Sequence, residues 1–499
     1  MTETFRSNGT ALKAGALVPL LAALFMGAVL GSTSDALMAL AMLPGLLAAL
    51  AMLVQPLFGL MALAFVIPFE NITVELTAGA GTVTRFLGIF VAGTWLAQKL
   101  ARRESWDSII RSAPMVALAL FVVFALASNL WTQIPFSVPG QAVRLVMFVS
   151  LAVLTVDLVR DWKDARRLIA ALLAGGLVAS VLVVDQYLTH GGRAGDNIGG
   201  GINSTGMVLV ILVPLAFCLV RTSVGGWRLL GIAYLTLGLP AVLLTFSRAA
   251  LLVLILLMSV ELAYSLWTGR GRGALLVGGA AVALLAFHLV PYDEVADRAE
   301  TIGPTIEQTL QGGTGDVPTT SARGYHIQIG LAIFRDHPVV GAGWGSYRRL
   351  FVEDYQFRVP GSRNIYGTPR SPHGTFWGVL ADLGLIGLFL WLLALGLAAW
   401  ALRRAWRAAV GAGQMMQRAR FSVQATALSL FSLFLYMGFQ NVETRKVFWI
   451  VFGLAVVLHR LVGSDRGPSA PWHDSSPTLA SEPLTYSPPE TATVPVDKS

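Results

Sequence analysis

The chain reads as an all-α polytopic membrane protein, and three observations carry that reading. First, 55% of its residues are hydrophobic and 13% charged, whereas a soluble globular domain carries about a quarter charged residues. Second, apolar runs of about 16–22 residues recur along it, the length that crosses a hydrocarbon core of roughly 30 Å. Third, the strongly basic short loops between those runs all fall on one side of the alternation, as the positive-inside rule requires. The formal charge of +8 therefore orients the protein in its bilayer rather than binding nucleic acid. Cys218 is the single cysteine, which excludes an intrachain disulfide and a thiolate metal cluster. It reads as a small residue packed in a helix.

At about 20 apolar residues per crossing, the chain has about 12–14 spans. The full set lies near 12–31, 35–53, 56–69, 83–100, 113–131, 138–158, 167–188, 203–221, 227–246, 249–267, 273–291, 374–400, 421–441 and 446–462. The first apolar run, Ala14 to Leu30, lacks a convincing A-x-A cleavage site and reads as a retained helix. With the N-terminus inside, the inner loops include Lys99 to Arg103, Arg160 to Arg167, Arg221 to Arg228, Arg270 to Arg272 and Arg403 to Arg420. The outer side receives 69–82, 132–137, 189–202, 292–372 and 442–445. The resulting divisions are an N-terminal bundle of about 11 helices (1–291), a large outer loop (292–372), C-terminal spans (373–463) and a Pro-, Ser- and Thr-rich tail (464–499). The tail cannot bury a core and reads as a disordered inner extension.

The interval 292–372 is several times longer than any other outer segment. Within it Thr320 and Ser321 can cap a short helix that runs to about Asp336 and stops before Pro338. Ile327, Leu331 and Phe334 share one face of that helix, which predicts that this face lies against the membrane surface or the bundle. Gly341-Ala342-Gly343-Trp344-Gly345 follows as a turn-rich stretch. Ser371 reads as an N-cap and Pro372 as the first helical residue, which places His373 at the start of the next span.

The informative residues are charges on the outer side. Arg248 follows Ser247 at the start of a span, and Arg323 occupies the first turn of the loop helix. Helix N-termini carry about half a positive charge, so a guanidinium there costs a few tenths of a kcal/mol up to about 1 unless an anion joins it. Free N–H groups and a guanidinium fork together suit phosphate. Arg85 and Arg144 lie just inside the outer ends of their spans, where a basic side chain either reaches the headgroups or serves a site. Arg348, Arg349, Arg358, Arg363 and Arg370 read as solvated loop charge, with Arg370 also a candidate contact to diphosphate or glycan. A positive helix end and neighbouring arginines keep His373 neutral, the form that accepts a proton from a sugar hydroxyl. His326 and His337, in the same loop, read as surface residues. Asp293 and Asp297 could share a cation, but no third ligand is apparent. Metal-free chemistry is therefore expected, with arginines neutralising a leaving diphosphate.

At these residues the chain resembles the O-antigen ligase and polymerase superfamily of bacterial envelope glycosyltransferases. Ser247-Arg248-Ala249-Ala250-Leu251-Leu252 is similar to the family's arginine motif. Arg323 to Gly345, with His337-Pro338 and Gly341-Ala342-Gly343, resembles its loop helix and glycine turn. His373-Gly374 followed after nine residues by Gly384-Leu385-Ile386-Gly387 resembles its histidine motif, H-[N/S/Q]-x9-G-x-x-G. Gly374 departs from that pattern, which has a side-chain amide or hydroxyl there.

The resemblance implies a GT-C-like, metal-independent, inverting glycosyltransferase of the bacterial inner membrane, needing no cofactor and working on the periplasmic face. Its donor would be a glycan on undecaprenyl diphosphate, and its acceptor a lipid A–core sugar for a ligase or another lipid-linked repeat for a polymerase. Arg248 and Arg323 would hold the diphosphate and His373 would activate the acceptor hydroxyl. A flippase for lipid-linked glycan is the rival of a different class. Transporters usually show repeated halves and discontinuous helices with a site near the midplane, whereas this chain gathers its features in one outsized outer loop.

Overall fold

A computed structural model describes residues 50–69, 83–132, 134, 138–196, 198–268, 320–359, 371–411 and 416–464. Among the described residues the regular elements are helical, with no strand. Eight of the helices are long and apolar enough to cross a membrane. In chain order the principal helices are α1 (Pro56–Val66), α2 (Val83–Ala101), α3 (Ala113–Ala127) and α4 (Val138–Leu158). They continue with α5 (Trp162–His190), α6 (Ile202–Thr222), α7 (Gly225–Leu244) and α8 (Arg248–Thr268). After α9 (Thr320–Asp336) come α10 (Thr375–Gly411), α11 (Gln417–Tyr436) and α12 (Lys446–Gly463). Local signals set the ends. Asp161 caps α5 by accepting from the Asp164 amide at 2.8 Å, and Gly191 stops that helix with a left-handed φ of 67°.

α6 and α12 are enclosed on nearly every side, so their sequences are apolar all round rather than on one stripe. α1 and α5 cross where Gly175 stands: a β-carbon there would come within 1.9 Å of the Phe65 carbonyl oxygen. Tyr234, buried between α7 and α6, donates its hydroxyl to the Leu209 carbonyl at 2.6 Å. One end of the bundle carries the starts of α2, α4, α6, α8, α10 and α12 together with α9, and is called the site end below. The opposite end gathers the basic loops and two enclosed ion pairs, Lys99–Asp157 and Arg221–Glu261, each at 2.7 Å. Cys218 is buried in α6, its sulfur 3.4 Å from Ser422 Oγ, a packing role as expected.

The described helices start within about five residues of the expected spans, but α10 runs on to Gly411, past the expected limit at 400. The run taken as 421–441 is helical over Gln417–Tyr436, so Met437 to Asn441 leave the helix and lengthen the turn before α12. The runs 12–31 and 273–291, residues 35–49 of the second run, the outer segments 70–82, 292–319 and 360–370, and the tail lie outside the described residues.

Two corrections concern the loop. The buried face of α9 is not Ile327, Leu331 and Phe334, which are half-buried; it is His326, Ile329 and Ile333, exposed by 1%, 0% and 0%. These pack with Tyr347, Phe351, Tyr355 and Ala381 into a small core separate from that of the bundle. The loop therefore brings its own packing partner and uses the other α9 face.

The second correction is in α10, which is not continuous. Gly384 adopts φ 62° and ψ −158° inside it, splitting a short outer segment, 375–383, from a long helix, 385–411. The carbonyls of Ala381 and Asp382, freed by the break, accept from the amides of Ala342 and Gly343 at 3.1 and 2.8 Å. The amides of Leu385 and Ile386 donate to Pro338 and Val339 at 2.9 and 3.2 Å. The glycine turn and the helix break thus satisfy each other's backbone. A broken helix was a feature expected of a transporter. Here, however, the break lies nine residues from the helix start, and 385–411 is by itself long enough to span.

Candidate functional site

His373 does not begin α10. The helix starts at Thr375, and His373 precedes it with a left-handed φ of 50°, so Ser371 and Pro372 do not serve as cap and first residue. Pro372 instead folds back on Gly378, where a β-carbon would meet its ring at 2.7 Å. The left-handed turn leaves the His373 side chain exposed, at a backbone conformation few non-glycine residues adopt. Phe246, two residues before Arg248, has the same property with φ 48°. Left-handed backbone thus precedes α8 and α10, two of the three helices that the motifs single out, a conformation that recurs at functional sites.

The His373 turn is held by the segment that sequence reasoning assigned to a span. Asn441 Oδ1 accepts from the Gly374 amide at 2.9 Å, and the Gln440 carbonyl accepts from the Thr375 amide at 3.1 Å. Gly374 has no room for a side chain, since a β-carbon would lie 2.8 Å from Trp377 and 3.0 Å from the Gly438 carbonyl. That crowding accounts for the glycine at this motif position.

Beneath the turn, Thr375 Oγ1 lies 2.6 Å from Glu443 Oε2 and 3.0 Å from the Gln440 carbonyl, and accepts from the Val442 amide at 2.8 Å. One hydroxyl proton cannot serve both oxygens. A protonated Glu443 resolves the conflict by donating to Thr375, whose own proton then goes to Gln440. Burial pushes the Glu443 carboxyl up to about 7, against the lowering pull of Arg445. Between its ordinary value and about 7 the folded chain holds a proton that the unfolded chain has released. The stability tied to Glu443 is therefore full below its unfolded value and is lost as pH rises through about 7, by up to about 3 kcal/mol. The thermal midpoint in detergent is expected to fall from about pH 5 to about pH 8, and Glu443→Gln to flatten that slope. An equal slope in the variant would show that other groups titrate.

At the bundle end that presents this turn stand cations from α2, α4, α8, the start of α12 and the 347–350 segment. The charges of Arg85 and Arg348 both act on half-buried Arg144, because the turn around Gly345 packs on Gln141 at the start of α4. Arg348, read from sequence as plain loop charge, is exposed but belongs to this group. Lys446 donates to Thr84, the neighbour of Arg85, at 2.9 Å, and Arg445 Nη1 donates to the Gly199 carbonyl at 3.5 Å. Arg248 is tied in through α6. Ser247 Oγ donates to Asn203 Oδ1 at 3.0 Å, while Thr205 of the same helix bonds Gly195 and Gly199 at 2.7 and 2.9 Å. Arg323 lies on α9 one turn before His326; its side chain is outside the described residues, as are Arg370, Arg363, Asp293 and Asp297.

His326, expected at the surface, is 1% exposed. Its ring stacks on Phe351 with centroids 5.1 Å apart and meets the His373 ring edge-on at 4.7 Å. Sequence reasoning missed it, together with Asn441, Glu443, Arg445 and Lys446. For His326 the signal was its i, i+3, i+7 spacing with Ile329 and Ile333.

Fold and site together define a polytopic helical membrane protein with a cation-rich, histidine-bearing end. Residues 233–392 match the model of the Wzy_C family, O-antigen ligase. The matched stretch contains Arg248, Arg323, His326, His373 and the Gly384 break; Arg85, Arg144 and the Asn441–Lys446 turn lie beyond it. No curated protein matches the chain.

Proposed function

We propose that the site end faces the periplasm and transfers a glycan from undecaprenyl diphosphate to a sugar hydroxyl, as an O-antigen ligase does. The observation that carries this reading is the convergence of Arg85, Arg144, Arg348, Arg445 and Lys446 on the side of the bundle that presents the His373 turn. Cations grouped at one end of the bundle form a surface that attracts an anionic substrate. The basic loops at the opposite end support a cytoplasmic orientation for that end.

In the proposed reaction His373 takes the proton of the acceptor hydroxyl, and that oxygen attacks the anomeric carbon. The bond from that carbon to the diphosphate oxygen breaks, the diphosphate leaves with the electron pair, and the transferred sugar's anomeric carbon is inverted. Arg248 and Arg323 hold the leaving group, and Arg85, Arg144 and Arg370 extend the anion-binding surface. The chain's own side chains supply base and charge neutralisation, with no metal or cofactor in the scheme. A groove of about 630 Å³ between α8, α10 and α11, lined by Tyr264, Leu392, Trp406, Phe431 and Phe434, suits the lipid chain. Its Phe434 packs at 5.4 Å on Phe376, three residues after His373. A lipid A–core acceptor makes the protein a ligase; a second lipid-linked repeat makes it a polymerase.

The test is transfer by purified protein from lipid-linked glycan to an added acceptor. Arg248→Ala is expected to lower it roughly 10²-fold or more. Undiminished transfer would remove Arg248 from the mechanism. Glycan that crosses proteoliposomes without any new glycosidic bond would establish the flippase reading instead.

A further inference from the structure

The motif pattern gives no role to His326, yet it is the most constrained imidazole at the site. Its tautomer follows from Tyr347. The Tyr347 hydroxyl has one proton and donates it to the His326 backbone carbonyl at 2.9 Å. The 3.1 Å contact between the same oxygen and His326 Nδ1 then requires Nδ1 to carry the hydrogen. In the neutral ring Nε2 is therefore the lone-pair nitrogen. Two bonds to one hydroxyl and stacking on Phe351 at 5.1 Å fix both the rotamer and the proton. This lock is anchored to α10, because Asp382 accepts from the amides of Tyr347 and Gly345, each at 2.8 Å. His373 stands just ahead of that helix, and its ring meets His326 edge-on, with centroids 4.7 Å apart and planes at 63°.

We propose that His326 is a positioning residue for His373, a buried imidazole of fixed rotamer and tautomer that sets the orientation of the exposed His373 ring. This rests on the reading of His373 as the base. An exposed imidazole on a left-handed turn has several rotamers, and a base misplaced by about 1 Å loses on the order of 10² in rate. A fixed polar edge selects one of those rotamers. An apolar side chain of the same size would fill the space without that orienting dipole.

Two variants test this. His326→Phe keeps a ring to stack on Phe351 and deletes both nitrogens; Tyr347→Phe keeps the packing and deletes the hydroxyl that locks the tautomer. In each, kcat for transfer is expected to fall about 10–100-fold, with KM for the lipid-linked donor within about twofold of wild type. Carbethoxylation of His373 by diethyl pyrocarbonate, located by peptide mass analysis, is expected to change rate in both. Wild-type kcat and wild-type modification rate would overturn the proposal, as would a loss confined to KM. Should His326→Phe fail to fold, Tyr347→Phe decides alone. The modification needs no substrate, so it reports the two-histidine contact even if the wild-type chain transfers no glycan, the result that would refute the proposed reaction separately.

Discussion

Replacing His373 with alanine is expected to lower glycan transfer roughly 10²–10⁴-fold, the range associated with loss of a general base. The reason is local. The left-handed turn projects the ring outward, and the backbone on its C-terminal side is tied to Asn441 and Gln440. Removing the ring therefore removes proton acceptance without removing what holds the turn. Donor binding, measured with labelled lipid-linked glycan, is expected to stay near wild type because the cations are on other elements. His373→Gln preserves a hydrogen-bonding side chain but cannot take a full proton, so it should resemble alanine in kcat. If either variant transferred at the wild-type rate, some other group would have to be the base. A matching loss of donor affinity would move His373 from the proton to the diphosphate.

The residues that define this site were unequally legible. Hydrophobic run length and loop charge located the starts of the described helices within about five residues, because crossing a bilayer imposes both. Arg248 and His373 stood out because each places polarity where an apolar helix begins. The second layer did not. Asn441, Glu443 and Arg445 follow an apolar run whose end cannot be seen from composition; the helix stops at Tyr436 five residues before the expected limit. His326 was hidden for the opposite reason. Its neighbours Ile327 and Leu331 form as good an apolar face as Ile329 and Ile333, and only the packing partners Tyr347 and Phe351 choose between them. Helical period reveals that a face exists, while tertiary contact decides which face is used. The break at Gly384 is a further case: G-x-x-G inside an apolar stretch resembles ordinary close helix packing until the facing glycine turn is in place.

That break carries the second large expectation. Gly384→Ala is expected to destabilise the protein by roughly 3 kcal/mol or more and to lower transfer with it. A β-carbon at 384 would stand 2.5 Å from the Val339 carbonyl oxygen and 2.7 Å from the Gly341 amide nitrogen. It would also hold a φ of 62°, which costs an L-residue about 1–2 kcal/mol before any overlap is counted. Relief requires the 338–343 turn to withdraw, breaking the four backbone bonds that join it to Ala381, Asp382, Leu385 and Ile386. Withdrawal would also pull on Gly345 and Tyr347, which Asp382 holds by their amides. Through Tyr347 the displacement reaches His326, and through the next residue, Arg348, it reaches Arg144. A single methyl at the helix break is thus expected to disturb both the histidine pair and the cation cluster, though it touches neither. Gly396→Ala is the matched control: it lies in the same helix, and its β-carbon would meet nothing within 4 Å. That variant should match wild type or gain about 0.5–1 kcal/mol. Thermal unfolding in detergent, measured on both variants, separates the two cases; transfer rate is read on Gly384→Ala alone, because Gly396 lines the groove assigned to the lipid chain. If Gly384→Ala behaved like Gly396→Ala, the glycine turn and the break would not be coupled, and the loop would need some other anchor to hold His326 against His373.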